Sequence, residues 1–400
     1  MKRKERFFVL GIIVFFLITL MASSSPAEST RGITDNTIQV GAIFDITGPL
    51  AGIFVPVSDG IRTYTRHVND QGGINGRKIK LILEDDRYSI PLAVASFKKL
   101  LFRDKIMALL GPGSTGETSV LLRHIMEQKL PTIPVAADEQ LVDKRYTFVA
   151  TDSYDNQVGI IFEWIVEESK PTKPKIACLV LDIGAKVQFL KAVKKWSEFF
   201  GLDIPIIMTT LGAMDLTSEI LLIKKEKPDY VIPLTGVDTI IKFIRDSKKL
   251  GLDTKVCATY TGINEDVVKG AKELADRAFG AHFYSSWYDD TPGMAELRKT
   301  TLKYYPGTEK PWRSKNYTVG WMLATLLYEG MKRAGKDLDN EKLVEGLETL
   351  KDFDTKGIGA PITYTPKNHA GIKANKIYRG DPATGKVIPI SGWRSAPKIK

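Results

Sequence analysis

A strand–helix–strand pattern in residues 40–86 limits the folds that this chain can adopt. An apolar strand at Gln39–Phe44 leads through a Thr-Gly-Pro turn into a helix at about Val57–Val68. A glycine-rich turn then precedes a second apolar strand at Lys78–Glu84. Two neighbouring strands joined by a helix run parallel, so the segment predicts a βαβ unit within a parallel sheet.

The same alternation continues along the chain and restarts near residue 157. Helices with apolar residues at helical spacing separate the strands. Further strands are predicted at Ile106–Leu110, Thr132–Val135, Tyr146–Ala150, Lys175–Leu181, Ile204–Thr209, Tyr230–Leu234, Lys255–Thr259 and Phe279–Tyr284. Helices are then predicted at Gly293–Tyr304, Lys315–Ala334 and Asn340–Leu350, and short strands at Ile362–Tyr364, Lys376–Arg379 and Lys386–Pro389.

This organisation predicts an α/β protein with two doubly wound parallel-sheet lobes, joined by a multi-crossing hinge, with a ligand cleft between them. The chain is longer than a single hydrophobic core usually supports, which indicates two domains. We expect residues 28–150 with 288–350 in lobe 1, and residues 151–287 with 351–400 in lobe 2. The chain is expected to cross between lobes near Ala150–Tyr154, Phe283–Tyr288 and Leu350–Ile358.

The N-terminal 27 residues have the pattern of an export signal. Four basic residues (Lys2, Arg3, Lys4 and Arg6) precede an apolar run at Phe7–Ala22, and Ser-Pro-Ala follows. The pattern predicts cleavage after Ala27 and a periplasmic mature protein. An uncleaved membrane anchor is the alternative, although the run is shorter than a spanning helix of about 20 residues.

The net charge of +10 does not indicate nucleic-acid binding. The basic residues occur as scattered pairs beside apolar neighbours on predicted helices, which is typical of a solvated helix surface.

The two cysteines, Cys178 and Cys257, lie in apolar strands that another strand is expected to separate. We therefore predict buried free thiols rather than a disulfide.

Signatures of catalysis are missing from the sequence. The four histidines lack metal-ligand spacing, and no G-x-S-x-G motif occurs. The acidic triplet Glu84–Asp86 ends a strand and is expected to be structural. We therefore predict neither an enzyme nor a bound cofactor.

The loop Gly111–Gly116 is a literal G-x-G-x-x-G between a strand and a helix. A dinucleotide fingerprint belongs to the first βα turn, whereas this loop follows the third strand, and Pro112 restricts its backbone. A helix N-terminus nevertheless binds a carboxylate well, because its N–H groups are free. Ser114 and Thr115 are therefore candidate ligand contacts, or one of them caps the helix.

Motifs in the first half resemble those of the leucine/isoleucine/valine-type periplasmic solute-binding proteins of ABC importers. The matching patterns are G-x-x-x-x-x-TGP-x-A and N-x-x-GG-x-x-GRK-x-x-L-x-x-x-DD. In that family the loop after the third strand reads G-P-x-x-S-G, and its serine holds the ligand carboxylate. The resemblance implies this role for Thr115.

The resemblance also implies a ligand contact after the fourth strand, where the family has A-A-T. This chain has Ala136, Ala137 and Asp138 there, with aspartate in place of threonine. A carboxylate at this position favours a cation. Either the ligand carries an amine that Asp138 binds, or Asp138 points elsewhere and pairs with Lys144 or Arg145.

The second lobe departs further from the family. The usual tyrosine after its first strand is missing, and Asp182 or Ile183 occupies that position. Asp238, after the third strand, either binds an ammonium group or caps the following helix. Candidate walls of the cleft are Ile53, Phe54, Tyr154 and Tyr260.

The resemblance implies a monomeric binding protein that captures an amino acid or related small carboxylate and delivers it to an ABC permease in the membrane. A sensory module of the same fold, acting with a separate receptor, is an alternative. An exported α/β enzyme is the third possibility.

Overall fold

A computed structural model describes residues 31–136, 138–306 and 311–399. The predicted signal therefore lies outside the described residues. The strands of the described chain are β1 (Thr37–Phe44), β2 (Lys78–Asp85), β3 (Ala108–Leu110), β4 (Thr132–Ile133), β5 (Ile176–Leu181), β6 (Ile206–Thr209), β7 (Tyr230–Leu234), β8 (Lys255–Ala258), β9 (Ala278–His282), β10 (Lys376–Asp381) and β11 (Lys386–Pro389).

The α-helices surround two sheets. They are α1 (Ala51–Asp70), α2 (Ile90–Lys98), α3 (Thr115–Glu127), α4 (Tyr154–Ser169), α5 (Lys186–Phe200), α6 (Thr217–Glu226), α7 (Val237–Lys249), α8 (Glu265–Ala271), α9 (Pro292–Tyr304), α10 (Lys315–Ala334) and α11 (Asn340–Glu348). A π-helical turn at Lys99–Arg103 extends α2, and 3-10 turns occupy Glu139–Leu141 and Lys272–Arg277.

The first sheet is parallel, with the strand order β2-β1-β3-β4. Its central strand β1 pairs Val40 with Leu81 on one side and with Ala108 on the other. Residues Val40–Phe44 and all of β3 are buried, as expected where helices cover both faces of a parallel sheet. The predicted βαβ unit is therefore confirmed.

The second sheet has the order β6-β5-β7-β8-β9-β10-β11 within the part of the chain that the structure describes. The first five strands are parallel, whereas β10 and β11 join the edge in antiparallel fashion. Cys178 on β5 and Cys257 on β8 are buried free thiols with β7 between their strands, as the sequence predicted.

Helices α1 and α10 cross closely beside the first sheet. A side-chain carbon added at Gly60 would lie 2.1 Å from the carbonyl oxygen of Tyr317. One added at Gly320 would lie 1.8 Å from that of Val57. Only glycine permits this backbone approach, which fixes the helix that carries Ile53 and Phe54.

The three predicted crossing segments are joined to one another by hydrogen bonds. The Tyr284 hydroxyl donates to the carbonyl of Ala150 (2.7 Å), and the Ser285 N–H donates to that of Ile358 (2.6 Å). The packing of α10 on α1, and of β10 on β9, supports the lobe boundaries proposed from the sequence, which stay a prediction.

Some predicted elements differ from those observed. Helix α1 begins at Ala51, six residues before the predicted start, although Gly52 and Pro56 disfavour helix. Burial of Ile53 and Phe54 on its inner face compensates. Segments 146–150 and 362–364 form only isolated bridges rather than strands. Among the described residues, no helix is long and apolar enough to cross a membrane.

Candidate functional site

A small cavity of about 40 Å³ lies where the strand ends of the two lobes face each other. We call it the central cavity. Its residues from the first lobe are Leu50, Ile53, Phe54, Tyr88, Gly113, Ser114, Thr115 and Val135. Those from the second lobe are Tyr154, Leu181, Ile183, Ala185, Leu234, Thr235, Tyr260 and Thr261. Nearly all follow the carboxyl ends of parallel strands, where open α/β sheets bind ligands.

The N-terminus of α3 opens into the central cavity. The Ser114 hydroxyl caps the helix by accepting the Glu117 N–H at 3.2 Å. The N–H groups of Thr115 and Gly116 have no acceptor within the helix, because they belong to its first turn. Thr115 adds a hydroxyl to the cavity wall. The arrangement suits a carboxylate, since the N–H groups and helix dipole both favour negative charge.

Three tyrosines line the same space from different elements. Tyr88 follows β2, Tyr154 begins α4, and Tyr260 follows β8. Burial raises the pKa of all three phenols, so each stays neutral and can donate a hydrogen bond. The Tyr154 ring packs edge-on against Phe189, with centroids 5.9 Å apart, and is therefore held in place.

The acidic triplet at the end of β2 shapes the first-lobe loops. Arg87 and Tyr88 both have left-handed φ angles, of 51° and 57°. The Asp85 carboxylate accepts the N–H groups of Arg87 (3.1 Å) and Ile46 (2.9 Å), and Asp86 accepts that of Tyr88 (3.0 Å). These hydrogen bonds offset the backbone strain of two non-glycine residues that have positive φ angles. They also direct Tyr88 into the cavity.

Glu117 and Asp86 form a buried carboxyl pair behind the cavity wall. Neither Glu117 oxygen has a hydrogen-bond partner within the described part of the chain, nor has Asp86 Oδ2. Burial, and next the neighbouring Asp86, raises the pKa of Glu117 to about 8. Burial likewise raises the pKa of Asp86 to about 6. At neutral pH Glu117 therefore keeps its proton.

Seven of the residues named from the sequence come together at the central cavity. They are Ile53, Phe54, Ser114, Thr115, Tyr154, Ile183 and Tyr260. The Phe54 ring stacks on Phe44 with centroids 6.1 Å apart. Of the two alternatives for the helix N-terminus, capping is observed for Ser114, and both Ser114 and Thr115 line the central cavity. A ligand contact by either residue stays a prediction.

The contact predicted after β4 is not on this wall. Asp138 caps the 3-10 turn, accepting the Gln140 N–H at 2.9 Å, and borders a different cavity with Glu139 and Asp152. It does not pair with Lys144 or Arg145, whose ion pairs are with other acids. Ala136 packs under Leu141 and Val149, and Ala137 lies outside the described residues.

The two acids predicted in the second lobe are also displaced from the cavity. Asp182 is exposed and pairs with Lys186, whereas the next residue, Ile183, lines the wall. Asp238 is exposed in the first turn of α7, and Gly236 rather than Asp238 occupies the cap position. Successive side chains at a strand end point to opposite sides, so Ile183 rather than Asp182 lies on the cavity wall.

Sequence reasoning missed Thr235 and Tyr88. The Thr235 hydroxyl lines the cavity and has no hydrogen-bond partner among the described atoms. Its position directly after β7 was a usable signal, since ligand contacts follow strand ends. Tyr88 gave no such signal, because its orientation depends on the left-handed turn that precedes it.

A second cavity of about 300 Å³ adjoins the central one, and we call it the outer cavity. Leu50, Ile53 and Leu181 belong to the walls of both. The other residues around the outer cavity are Pro49, Gly52, Leu211, Gly212, Ala213, Met214, Gly236, Val237, Asp238, Thr239 and Lys242. Met214 is 86% exposed, which places an apolar side chain at the mouth of the cleft.

Comparison with known sequences identifies the family. Residues 37–386 match the family described as periplasmic binding protein, so this chain belongs to that family. A Leu/Ile/Val-binding protein homolog 7 from Brucella melitensis is 20% identical over 359 residues, covering 85% of this chain and 86% of the relative. Family members are solute-binding proteins, and a periplasmic location is the norm among them.

Solved structures share the two-lobe fold. A branched chain amino acid ABC transporter protein from Thermus thermophilus with bound valine aligns with a TM-score of 0.83 and 23% identity, covering 90% of this chain and 97% of its own. A fatty acid ABC transporter substrate-binding protein from Thermomonospora curvata aligns with a TM-score of 0.82 and 21% identity, covering 91% and 94%. The two-lobe α/β fold predicted from the sequence is therefore confirmed, and it is the type 1 periplasmic binding protein fold.

Proposed function

We propose that this protein is the extracytoplasmic solute-binding component of an ABC importer. It captures a small organic carboxylate between its lobes and delivers it to a membrane permease without transforming it. The observation that carries the proposal is the free N-terminus of α3, with the Thr115 hydroxyl, opening into a cavity whose wall is shared by both lobes.

Each lobe has a distinct part in this function. The first lobe supplies the carboxylate site, and the second supplies Tyr154, Thr235 and Tyr260, which complete the enclosure only when the cleft is closed. The hydrogen-bonded crossing segments act as the hinge. A permease that contacts both lobes would then distinguish the closed, loaded form from the open form.

Relatives support both the transport role and the chemistry of the ligand. The named neighbours include proteins for branched chain amino acids and for fatty acids, and both kinds of solute carry a carboxylate. Export through the N-terminal signal and a monomeric state complete the proposal. A periplasmic location would bring the closed form to a permease in the inner membrane.

A thermal-shift screen against amino acids, aliphatic acids and aromatic acids tests this function. A ligand present at 100 times its Kd stabilises the folded protein by about 2.7 kcal/mol, which raises the melting temperature visibly. Thr115→Val should weaken binding by about tenfold to a hundredfold, because a hydrogen bond to a charged group is lost. Ser119→Ala removes an exposed hydroxyl from the same helix and serves as the control.

Two outcomes would contradict the proposal. If no small solute in the panel raises the melting temperature, capture of a small carboxylate is wrong. If a carboxylate binds equally well to the wild type and Thr115→Val, its site lies away from the N-terminus of α3.

A further inference from the structure

The central cavity has no charged side chain to meet an ammonium group. The described residues of its wall are apolar, aromatic or hydroxyl-bearing. An α-amino acid would place its positive charge in this space without a counter-charge, and burying an unpaired charge is costly.

Among the described residues, no aspartate or glutamate lies on the wall of the central cavity. Asp138 faces a separate cavity, and Asp182 is exposed beside Lys186. Asp238 lies at the rim of the outer cavity, where Lys242 is close by. Glu117 sits behind Ser114, outside the wall, and burial raises its pKa to about 8, so it offers no full negative charge at neutral pH.

The outer cavity offers space for an apolar group that the central cavity lacks. It measures about 300 Å³, against about 40 Å³ for the central cavity. Leu50, Ile53 and Leu181 line both cavities, so the two spaces share an apolar boundary. Beyond them, Leu211 and Met214 are exposed at the mouth, so an apolar chain passing through would cover them.

We propose that the ligand is an amphipathic carboxylate without an ammonium group: its carboxylate binds at the N-terminus of α3, and its apolar body passes Leu50, Ile53 and Leu181 into the outer cavity. This inference rests on the proposed function and names its substrate class. Recognition uses one polar end and one apolar body, so affinity grows with the length of the chain that the outer cavity can hold.

Calorimetric titration with matched acids tests whether the site lacks a negatively charged partner for an ammonium group. The protein is first unfolded and refolded to remove any bound solute. Leucine is then compared with 4-methylpentanoate, which is the same molecule without the α-amino group. We expect 4-methylpentanoate to bind more tightly by at least about tenfold, because no side chain compensates the buried ammonium.

A chain-length series tests the outer cavity. From butanoate to hexanoate and octanoate, the Kd should fall by about fourfold for each methylene that is buried. Ala213→Phe fills the outer cavity from a partly exposed loop, so it should weaken octanoate binding by at least about tenfold and leave butanoate binding unchanged. Ala383→Phe adds the same bulk to an exposed turn between β10 and β11 and is the control.

The outcomes separate this inference from the proposed function. Tighter binding of leucine than of 4-methylpentanoate overturns the inference and leaves the transport role intact. Equal affinities for butanoate and octanoate, or normal octanoate binding by Ala213→Phe, overturn the role of the outer cavity. If neither amino acids nor carboxylic acids bind, both the inference and the proposed function are wrong.

Discussion

Gly116 and Gly184 meet backbone to backbone across the cleft. Gly116 is in the first turn of α3, and Gly184 follows β5 in the opposite lobe. A side-chain carbon added at Gly184 would lie 2.8 Å from the Gly116 Cα, whereas one added at Gly116 would lie 3.5 Å from the Gly184 Cα. This close approach requires that residue 184 has no side chain, whereas residue 116 has room for one more carbon.

Gly184→Ala should hinder closure and weaken octanoate binding by about tenfold, since overpacking a contact costs about 1–3 kcal/mol. Gly116→Ala is the matched variant, because its added carbon makes only an ordinary contact and should change the affinity little. Calorimetry gives the affinities, and small-angle scattering gives the radius of gyration with octanoate. If Gly184→Ala binds and compacts like the wild type, the bound state does not use this contact.

Glu117→Gln should make stability less dependent on pH. Burial raises the pKa of Glu117 to about 8, from 4.5. Between these values the folded protein binds the proton and the unfolded chain does not, so stability falls as pH rises. The variant should increase the free energy of unfolding at pH 8 by about 1–3 kcal/mol, and less at pH 5, because a neutral glutamine need not take up a proton on folding.

Urea unfolding at both pH values measures this effect. Asp86 and Asp152 also have raised pKa values, of about 6 and about 7, so the wild type should lose stability in the same direction from these groups. The comparison with wild type measures Glu117 together with its effect on the neighbouring Asp86. Glu127→Gln changes an exposed residue of the same helix, whose pKa is lowered by Arg123, and is the control. Parallel pH profiles for wild type and Glu117→Gln would contradict the prediction.

The fold was largely readable from the sequence because its strands are short, apolar and separated by amphipathic helices. The sequence did not show that β10 and β11 join the edge of the second sheet. Strand β10 pairs antiparallel with β9, although nearly one hundred residues separate the two strands along the chain. The start of α1 was also missed, because burial of Ile53 and Phe54 outweighs the helix-breaking residues beside them.

The site was only partly predictable. Thr115 and Ser114 follow from the rule that a helix N-terminus attracts anions. Tyr154 and Tyr260 follow from their places in a hinge segment and after a strand. Asp138 was predicted as a ligand contact from its position in a family motif. Its carboxylate instead accepts a hydrogen bond from the Gln140 N–H in the turn that it begins. Acidic residues near strand ends commonly satisfy local N–H groups, and a sequence alone does not show which of them remain free.

Cys178 and Cys257 should behave as two unreactive thiols in the folded protein. Both are buried, and β7 separates their strands, which places their Cα atoms roughly 9–10 Å apart, beyond the reach of a disulfide. Burial also raises the pKa of each thiol, which suppresses the thiolate. A thiol-reactive dye should label neither cysteine until the protein is unfolded, and then both. Labelling of only one after unfolding, or of none without reductant, would contradict this assignment.

Glu265→Gln should destabilise the hinge. The buried Glu265 carboxylate accepts hydrogen bonds from the Ser286 hydroxyl (2.6 Å) and the N–H groups of Trp287 (3.1 Å) and Lys315 (2.7 Å). It thereby joins α8 to the crossing segment and to the first residue of α10. A glutamine must turn an NH₂ group towards one of these donors, so the free energy of unfolding should fall by about 1–3 kcal/mol.

The urea midpoint of Glu265→Gln, compared with that of Glu273→Gln, measures this contribution. Glu273 is exposed on the neighbouring 3-10 turn, so its substitution should change stability by less than about 0.5 kcal/mol. Ser286 and Trp287 lie in the predicted crossing segment Phe283–Tyr288. If this segment is the hinge, Glu265→Gln should also loosen closure and weaken octanoate binding. Equal midpoints for the two variants would show that water or a rearranged side chain satisfies these donors, and that Glu265 does not hold the hinge together.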